Sequence, residues 1–478
     1  MVTLGFIPMT FLKCLFLACY LASSLGLNSS IQPCDPNDLL ALREFAGKLT
    51  NGSIITAWHK TSICCTWDGV VCENVNNGTV ASRVTQLILP SRSLKGLISR
   101  SLGQLDQLKL LNLSLNHLEG GLPAELSNLT HLEVLDLSNN MLSGPVSGAL
   151  SGLKSIKVLN ISSNSIQGNL SELGGFPHLV VFNISNNSFT GQFNPQICSS
   201  SNEAQILDIS WNRLTGSLEG LDNCSRSLQQ LHLDYNSFAG HLPESLYSFS
   251  ALEQLSVSGN SLSGPISKEL SKLSSLKTLV IFGNQFFGEL PNVFGNLRRL
   301  ELLVAHANML SGHCLQPWHS AQIFEFLIFE TILYQQCKNL TTLILTKNFL
   351  GEEIPKNGSG FESLMVLALG NCALKGQIPV WLLSCRKLQV LDLSWNQLDG
   401  SIPPWIGQME NLFYLDFSNN SLTGEIPKSL TELKSFVSTN CSHSNLIASA
   451  GIPLFVKRNK SASGLQYNQA SNFPLQYT

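Results

Sequence analysis

Four cysteines near the amino terminus, Cys34, Cys64, Cys65 and Cys72, are the residues whose type and spacing bear most directly on chemistry. Clustered thiolates hold zinc, whereas the same cluster in an oxidising compartment forms disulfides. Four cysteines allow three pairings; adjacent Cys64 and Cys65 pair with each other only under strain, so Cys34 with Cys64 and Cys65 with Cys72 is favoured over the zinc alternative. Elsewhere the constellations of catalysis are missing. The 10 histidines are scattered, no HExxH or GxSxG occurs, and there is no Gly-rich phosphate loop, HRD or DFG. No enzyme, no metal and no cofactor are expected.

What must position any working side chain is a repeat. The pattern LxxLxLxxN recurs fourteen times, clearest at Leu132-Leu135-Leu137-Asn140, Leu252-Leu255-Val257-Asn260 and Leu388-Leu391-Leu393-Asn396. Its last positions are Arg92, Asn116, Asn140, Asn164, Asn187, Asn212, Asn236, Asn260, Asn284, Asn308, Asn348, Cys372, Asn396 and Asn420, spaced by 24 with one 23, one 25 and a single break of 40. Such a period specifies a solenoid whose coils bury their leucines only against neighbouring coils. Within Val134-Leu135-Asp136-Leu137-Ser138 the strand period of two sends the leucines inward and the other three onto the concave face. Each Asn amide both donates to and accepts from the backbone of its turn. Cys372 substitutes as a small buried thiol with a weak donor.

The fold class is therefore an α/β solenoid: a right-handed leucine-rich-repeat superhelix with a parallel concave β-sheet and an amino-terminal cysteine cap containing Trp58 and Trp67. On the concave face, Trp211, Tyr235 and Trp395 are candidate binding anchors, with packing on neighbouring coils as the alternative role. Asn112, Asn160 and Asn183 occupy strand centres and are all N-x-S sequons, so glycans there would obstruct the amino-terminal part of that face.

Composition agrees with export and with a long array. The chain has 478 residues, 13% charged and 44% hydrophobic, with 29 Lys plus Arg against 32 Asp plus Glu, so nucleic acid is excluded as a natural partner. Residues 1–26 read as a signal peptide: Lys13 precedes an apolar run from Cys14 to Leu21, then small residues where cleavage falls. Sequons from Asn28 to Asn459 fit a glycoprotein. The most apolar later window, Ile323 to Tyr334, is broken by Glu325 and Glu330, so no membrane span is expected in this sequence. The expected organisation is a cap over 27–80, repeats over 81–312, an irregular insertion over 313–336, repeats over 337–430 and a non-repeat segment over 431–478. The insertion, apolar and poor in turns, reads as foreign to the solenoid, like a mis-spliced junction, and should project from it.

After each Asn comes a second signature, as in Leu374-Lys-Gly376-Gln-Ile378-Pro379, Leu398-Asp-Gly400-Ser-Ile402-Pro403 and Leu422-Thr-Gly424-Glu-Ile426-Pro427. Here the chain resembles the plant-specific subclass of leucine-rich repeats, and Cys64-Cys65-Thr-Trp67-Asp-Gly69-Val-Val-Cys72 resembles the amino-terminal cap of plant receptor kinases and receptor-like proteins. Towards the end, Pro427-Lys-Ser-Leu430, Phe455-Val-Lys-Arg-Asn459 and Leu465-Gln-Tyr-Asn-Gln469 closely resemble the phytosulfokine receptors, in which this stretch is an island that helps to bind a short peptide carrying two sulfated tyrosines.

That resemblance implies a secreted, apoplastic peptide-binding ectodomain, located at the plasma membrane if a longer form carries a transmembrane helix. It implies a sulfated peptide as ligand and a co-receptor kinase ectodomain as a second partner. It places Thr346, Asp392 and Lys457 at the ligand, with the Lys457 ammonium facing a sulfotyrosine. The repeats expected after the island, the membrane helix and the kinase are not in this sequence, so the ectodomain is expected to be shortened relative to its family. The alternatives are a soluble inhibitor of a pathogen cell-wall hydrolase, or a defence receptor-like protein for another ligand.

Overall fold

The computed structural model describes residues 34–433, apart from 53, 55–57, 59–62, 75–80, 147, 174, 225, 292, 311–337, 350, 355 and 357–360, together with two short strands, Val456–Lys457 and Gln466–Tyr467. Its spine is a sheet of fifteen strands among the described residues, running in chain order from Val70–Glu73 to Tyr414–Asp416. The first pair is antiparallel and every later pair parallel. Most strands are three residues long, as in Val134–Asp136. Leu135 and Leu137, on either side of Asp136, are fully buried, as the period of two requires. The opposite side of the coils is built from short 3-10 helices such as Arg100–Gln104 and Ala124–Asn128. Strands stack about 4.8 Å apart, closer than helical turns can, so the sheet side is the inner, concave one.

A second sheet follows the first on the flank of the coils, eleven strands from Leu49–Asn51 to Met309–Leu310. The repeat reading above did not anticipate it. Apart from Leu49–Asn51 in the cap, its strands, for example His117–Gly120 and Ser261–Gly264, are the stretches after each ladder position, in which Leu, Ile or Phe precedes Gly by two. That signature is periodic enough to have marked a second ladder.

Between the two sheets sits the asparagine. Asn140 Nδ2 donates to the carbonyls of Leu137, 3.1 Å, and Ser138, 3.2 Å, in its own coil and to Leu113 O, 3.0 Å, in the coil before. Its Oδ1 accepts from Leu118 N at 3.0 Å, again in the coil before. The same four bonds recur at Asn164, Asn236, Asn260 and Asn284. To aim the amide inward the chain turns through a left-handed residue just before it, with φ of 57° at Leu115, 53° at Trp211 and 56° at Trp395. Because the conformation recurs in nearly every coil, its presence at a tryptophan belongs to the architecture and marks no functional strain.

The cap closes one end of the stack. Cys34 bonds Cys64 and Cys65 bonds Cys72, the pairing favoured from sequence. Trp58 and Trp67 stack at 5.0 Å beneath the helix Pro36–Gly47. Asp38 in that helix is fully buried and accepts from Val84 N at 2.8 Å and from the Arg83 guanidinium at 3.1 Å, tying the cap to the first parallel strand.

The insertion itself lies outside the described residues, but its flanks are informative. Leu302, Leu303 and Val304 pair in register with Thr342, Leu343 and Ile344. Ala305 N donates to Ile344 O at 2.9 Å, and Asn348 Nδ2 donates back to Ala305 O at 3.0 Å. The surplus residues therefore leave the long sheet uninterrupted, whereas among the described residues the eleven-stranded second sheet ends at Met309–Leu310 and its ladder resumes in the pair Lys375–Gly376 and Gln397–Leu398. Cys372 occupies the Asn place with its sulfur 3.5 Å from the carbonyls of Leu345 and Gly370. It cannot supply the Oδ1 with which Asn396 accepts from Cys372 N and Leu374 N.

Replacing Cys372 by Asn should raise stability by about 1 kcal/mol, and replacing buried Asn284 by Ala should lower it by about 2–3 kcal/mol, because buried carbonyls lose their donor. Urea titration of both variants measures this. A loss of stability in Cys372→Asn would show that the pocket has adapted to sulfur.

Candidate functional site

The outward positions of the long sheet form columns that run the length of the array. In the early coils the column at the strand end is polar, and each member is satisfied by the serine two residues on. Asn112 Oδ1 accepts from Ser114 Oγ at 2.8 Å, Asp136 from Ser138 at 2.7 Å, Asn160 from Ser162 at 2.7 Å and Asn183 from Ser185 at 2.7 Å. Burial raises the carboxyl of Asp136, and the serine bonds oppose that shift. These acids are structural acceptors, which accounts for Asp and Asn alternating freely at one position. Asp234 extends the ladder across coils: it accepts from Ser256 Oγ at 2.6 Å and from Ser258 N at 2.7 Å in the next coil. Burial pushes its carboxyl up as well, against the pull of His232.

Past Ser258 the polar ladder stops. The same column becomes Val280, Val304, Ile344 and Ala368, held in register across the break, and returns to Asp392 and Asp416. Val304, Ile344, Val366, Ala368 and Val390 form a buried apolar cluster distinct from the main core. Val280, Phe282, Leu302, Met365, Phe413 and Tyr414 pack against it as a half-buried rim. A run of aromatic rings approaches this window from the amino-terminal side. Trp211 stacks on Tyr235 at 3.9 Å, Tyr235 meets the edge of Phe282 at 6.1 Å, and Phe282 stacks on His306 at 4.4 Å. The row crosses the intervening coil because residue 259 is glycine: a Cβ there would lie 2.7 Å from the Tyr235 ring.

The residues singled out from sequence are distributed as follows. Thr346 lies within the apolar window, fully buried, and its Oγ1 has no hydrogen-bond partner among the described residues. In other coils the matching hydroxyl donates to an Asn or Asp two residues earlier; here that residue is Ile344. Asp392 stands at the far edge of the window, where its Oδ1 accepts from Ser394 N at 3.0 Å and Oγ at 2.6 Å, and burial raises its carboxyl. Lys457 lies in a two-residue strand paired antiparallel with Gln466–Tyr467, and its side chain is outside the described residues. Trp211 and Tyr235 meet in one stack, while Trp395 stands in the same column much further along the array. The reading from single residues passed over Phe282, His306 and the valine column. Their signal was present as aromatic and aliphatic residues at outward positions where other repeats carry Asn, Asp or Ser.

Among the described residues, the metal-type ligands that come together are Cys34, Cys64 and Cys65, and all three are consumed in disulfides. No helix among the described residues is long and apolar enough to cross a membrane. What the window offers is shape and apolar surface, the means of binding.

Comparison with known proteins gives the same picture. Residues 35–73 match the leucine rich repeat N-terminal domain, residues 122–166 one leucine rich repeat family, and 107–129, 227–249, 251–273, 275–297, 387–409 and 411–433 another. The chain is 56% identical to phytosulfokine receptor 2 of Arabidopsis thaliana over an alignment of 529 residues, covering 94% of this chain and 51% of that protein. It thus spans about half the length of that relative. Among solved structures it is similar to the plant peptide hormone receptor RGFR1 in complex with RGF2, with a TM-score of 0.61 and 26% identity over 78% of this chain and 67% of that one. It is also similar to a TDR receptor, with a TM-score of 0.54 and 29% identity over 73% of this chain and 66% of that one.

His306 yields a pH dependence. Burial, helped by the Lys347 charge, depresses its imidazole from 6.5 to about 4. Between those values the unfolded chain binds a proton that the folded chain refuses, so the stability is present above pH 6.5 and is lost as pH falls towards 4. The component is roughly 3 kcal/mol. His306→Phe keeps the ring on Phe282 and should flatten the stability profile over that window relative to the native chain. Parallel profiles for the two proteins would mean that His306 is not buried as described.

Proposed function

This chain belongs to the plant leucine-rich-repeat receptor family, and from that premise we propose that it is an extracellular ligand-reading ectodomain that acts by binding a peptide, not by catalysis. The observation that carries the proposal is the apolar window. Over four successive coils, at 280, 304, 344 and 368, the concave face abandons the polar ladder that runs from Asn112 to Ser256 and returns at Asp392. An apolar patch rimmed by aromatic and polar residues suits the side chains of an extended peptide.

We read the ligand as a short tyrosine-sulfated peptide, with a co-receptor kinase ectodomain as second partner, a reading that the similarity to phytosulfokine receptor 2 supports. In this reading aliphatic peptide side chains meet the half-buried rim of Met365, Phe413 and Tyr414. Asp392 bounds the site, and Lys457 faces a sulfate, which is ionised at any physiological pH and accepts a charge-assisted hydrogen bond. The buried hydroxyl of Thr346 gains a partner only when the ligand parts that rim.

Two substitutions test this by calorimetry with sulfated and unsulfated forms of one peptide. Lys457→Glu should weaken the sulfated form by about 2–5 kcal/mol and leave the unsulfated form nearly unchanged. Thr346→Val should stabilise the free protein by about 1 kcal/mol, since it removes an orphaned hydroxyl, yet bind the peptide less tightly. If Lys457→Glu affects both forms equally, the lysine does not read the sulfate. Failure of the native chain to bind either form would sink the ligand assignment.

A further inference from the structure

The left-handed column that precedes the asparagine ladder contains two tryptophans, Trp211 and Trp395. It also contains two asparagines that begin N-x-S sequons, Asn186-Asn187-Ser188 and Asn419-Asn420-Ser421; the column's other asparagines, Asn139 and Asn371, are followed two residues on by Met141 and Ala373. Each tryptophan lies beside one of the sequon asparagines. Asn183 pairs with Asp208, and Asn187 N donates to Trp211 O at 3.1 Å, which puts Asn186 level with Trp211 in the adjoining coil. Asp392 pairs with Asp416, and Trp395 N donates to Ser418 O at 2.8 Å, which puts Trp395 level with Asn419. The φ values are 53° at both members of the first pair, and 56° and 58° in the second, so the side chains leave the coil side by side, about 4.8 Å apart.

We propose that Asn186 and Asn419 carry N-linked glycans, and that the first sugar of each lies on the indole of its neighbour, Trp211 or Trp395. Both asparagines are exposed. Asn186 Nδ2, the atom that takes the sugar, donates to Ser163 Oγ of the preceding coil at 3.3 Å, an exposed bond that a sugar-bearing amide can retain because it keeps one N–H. The following residues, Asn187 and Asn420, cannot serve instead, because their Nδ2 groups donate to three carbonyls each inside the coil. Trp211 has one ring face stacked on Tyr235, on the side away from Asn186, so its opposite face looks towards the asparagine's coil. Trp395 is 39% exposed and stands level with Asn419 in the adjoining coil. The C–H groups on one face of an N-acetylglucosamine ring carry partial positive charge and meet the electron-rich indole face favourably. The tryptophans then serve as glycan platforms on the rim of the concave face. This is independent of the peptide reading.

The full chain, secreted from plant cells, provides the test. Glycopeptide mass spectrometry should find Asn186 and Asn419 occupied; bare asparagine at both overturns the proposal. Asn186→Gln should lower Tm by about 1–2 °C in the native background and leave it nearly unchanged in Trp211→Ala, the non-additivity expected of groups in contact. The pair Asn419→Gln and Trp395→Ala should behave alike. Equal shifts in both backgrounds would place the sugar away from the indole. Trimming the native glycoprotein to a single N-acetylglucosamine should leave Tm unchanged, and a loss on trimming would overturn the assignment of the contact to the first sugar.

Discussion

A coil of this solenoid cannot satisfy its own backbone, and every other property of the molecule answers to that constraint. Its strand groups find partners only in the coils above and below. The interior amide of the ladder resolves the corner between the two sheets, where strand bonds are unavailable, by donating to two coils and accepting from one. The requirement fixes the spacing of coils, the left-handed residue before each amide and the inward direction of the leucines. It also explains why the surplus residues between Asn308 and Asn348 do so little to the long sheet. Extra residues leave strand pairing intact so long as the two coils they join still meet in register, and the closure penalty of a connection grows slowly with its length.

The concave face is what that constraint leaves free to vary. Where nothing binds, an outward position is best filled by a short polar residue whose bonds close within the coil, as in Asp136 with Ser138. Departure from that solution has a penalty. The apolar window exposes apolar rim to water and leaves the hydroxyl of Thr346 with no hydrogen-bond partner among the described residues, which typically costs about 1–3 kcal/mol. That local deficit interrupts an otherwise regular array, set among valines and bounded by Asp392. The aromatic row joins the window at one end, through Phe282 and His306, and at the other end Trp211, level with Asn186 in the adjoining coil, stacks on Tyr235.

The periodic sequence by itself determined the solenoid, because a 24-residue period with leucines at fixed places has one way to bury them. It also determined the cap, since adjacent Cys64 and Cys65 must turn to different partners, and the substitute role of Cys372. The second sheet was equally written in the Leu-x-Gly stretches but was not read from them, because three residues of extended chain have no pattern until a neighbour pairs with them. What only tertiary structure decided is which outward residues touch. Trp211 and Tyr235 are 24 positions apart and stack; Ile344 falls beneath Thr346's hydroxyl and denies it an acceptor; Val304 and Ile344 are neighbours across a forty-residue gap. The physical reason is that a side chain's column is set by its distance from the ladder asparagine, whereas its neighbours are set by register across coils, and register is a property of the stacked backbone, not of any one repeat.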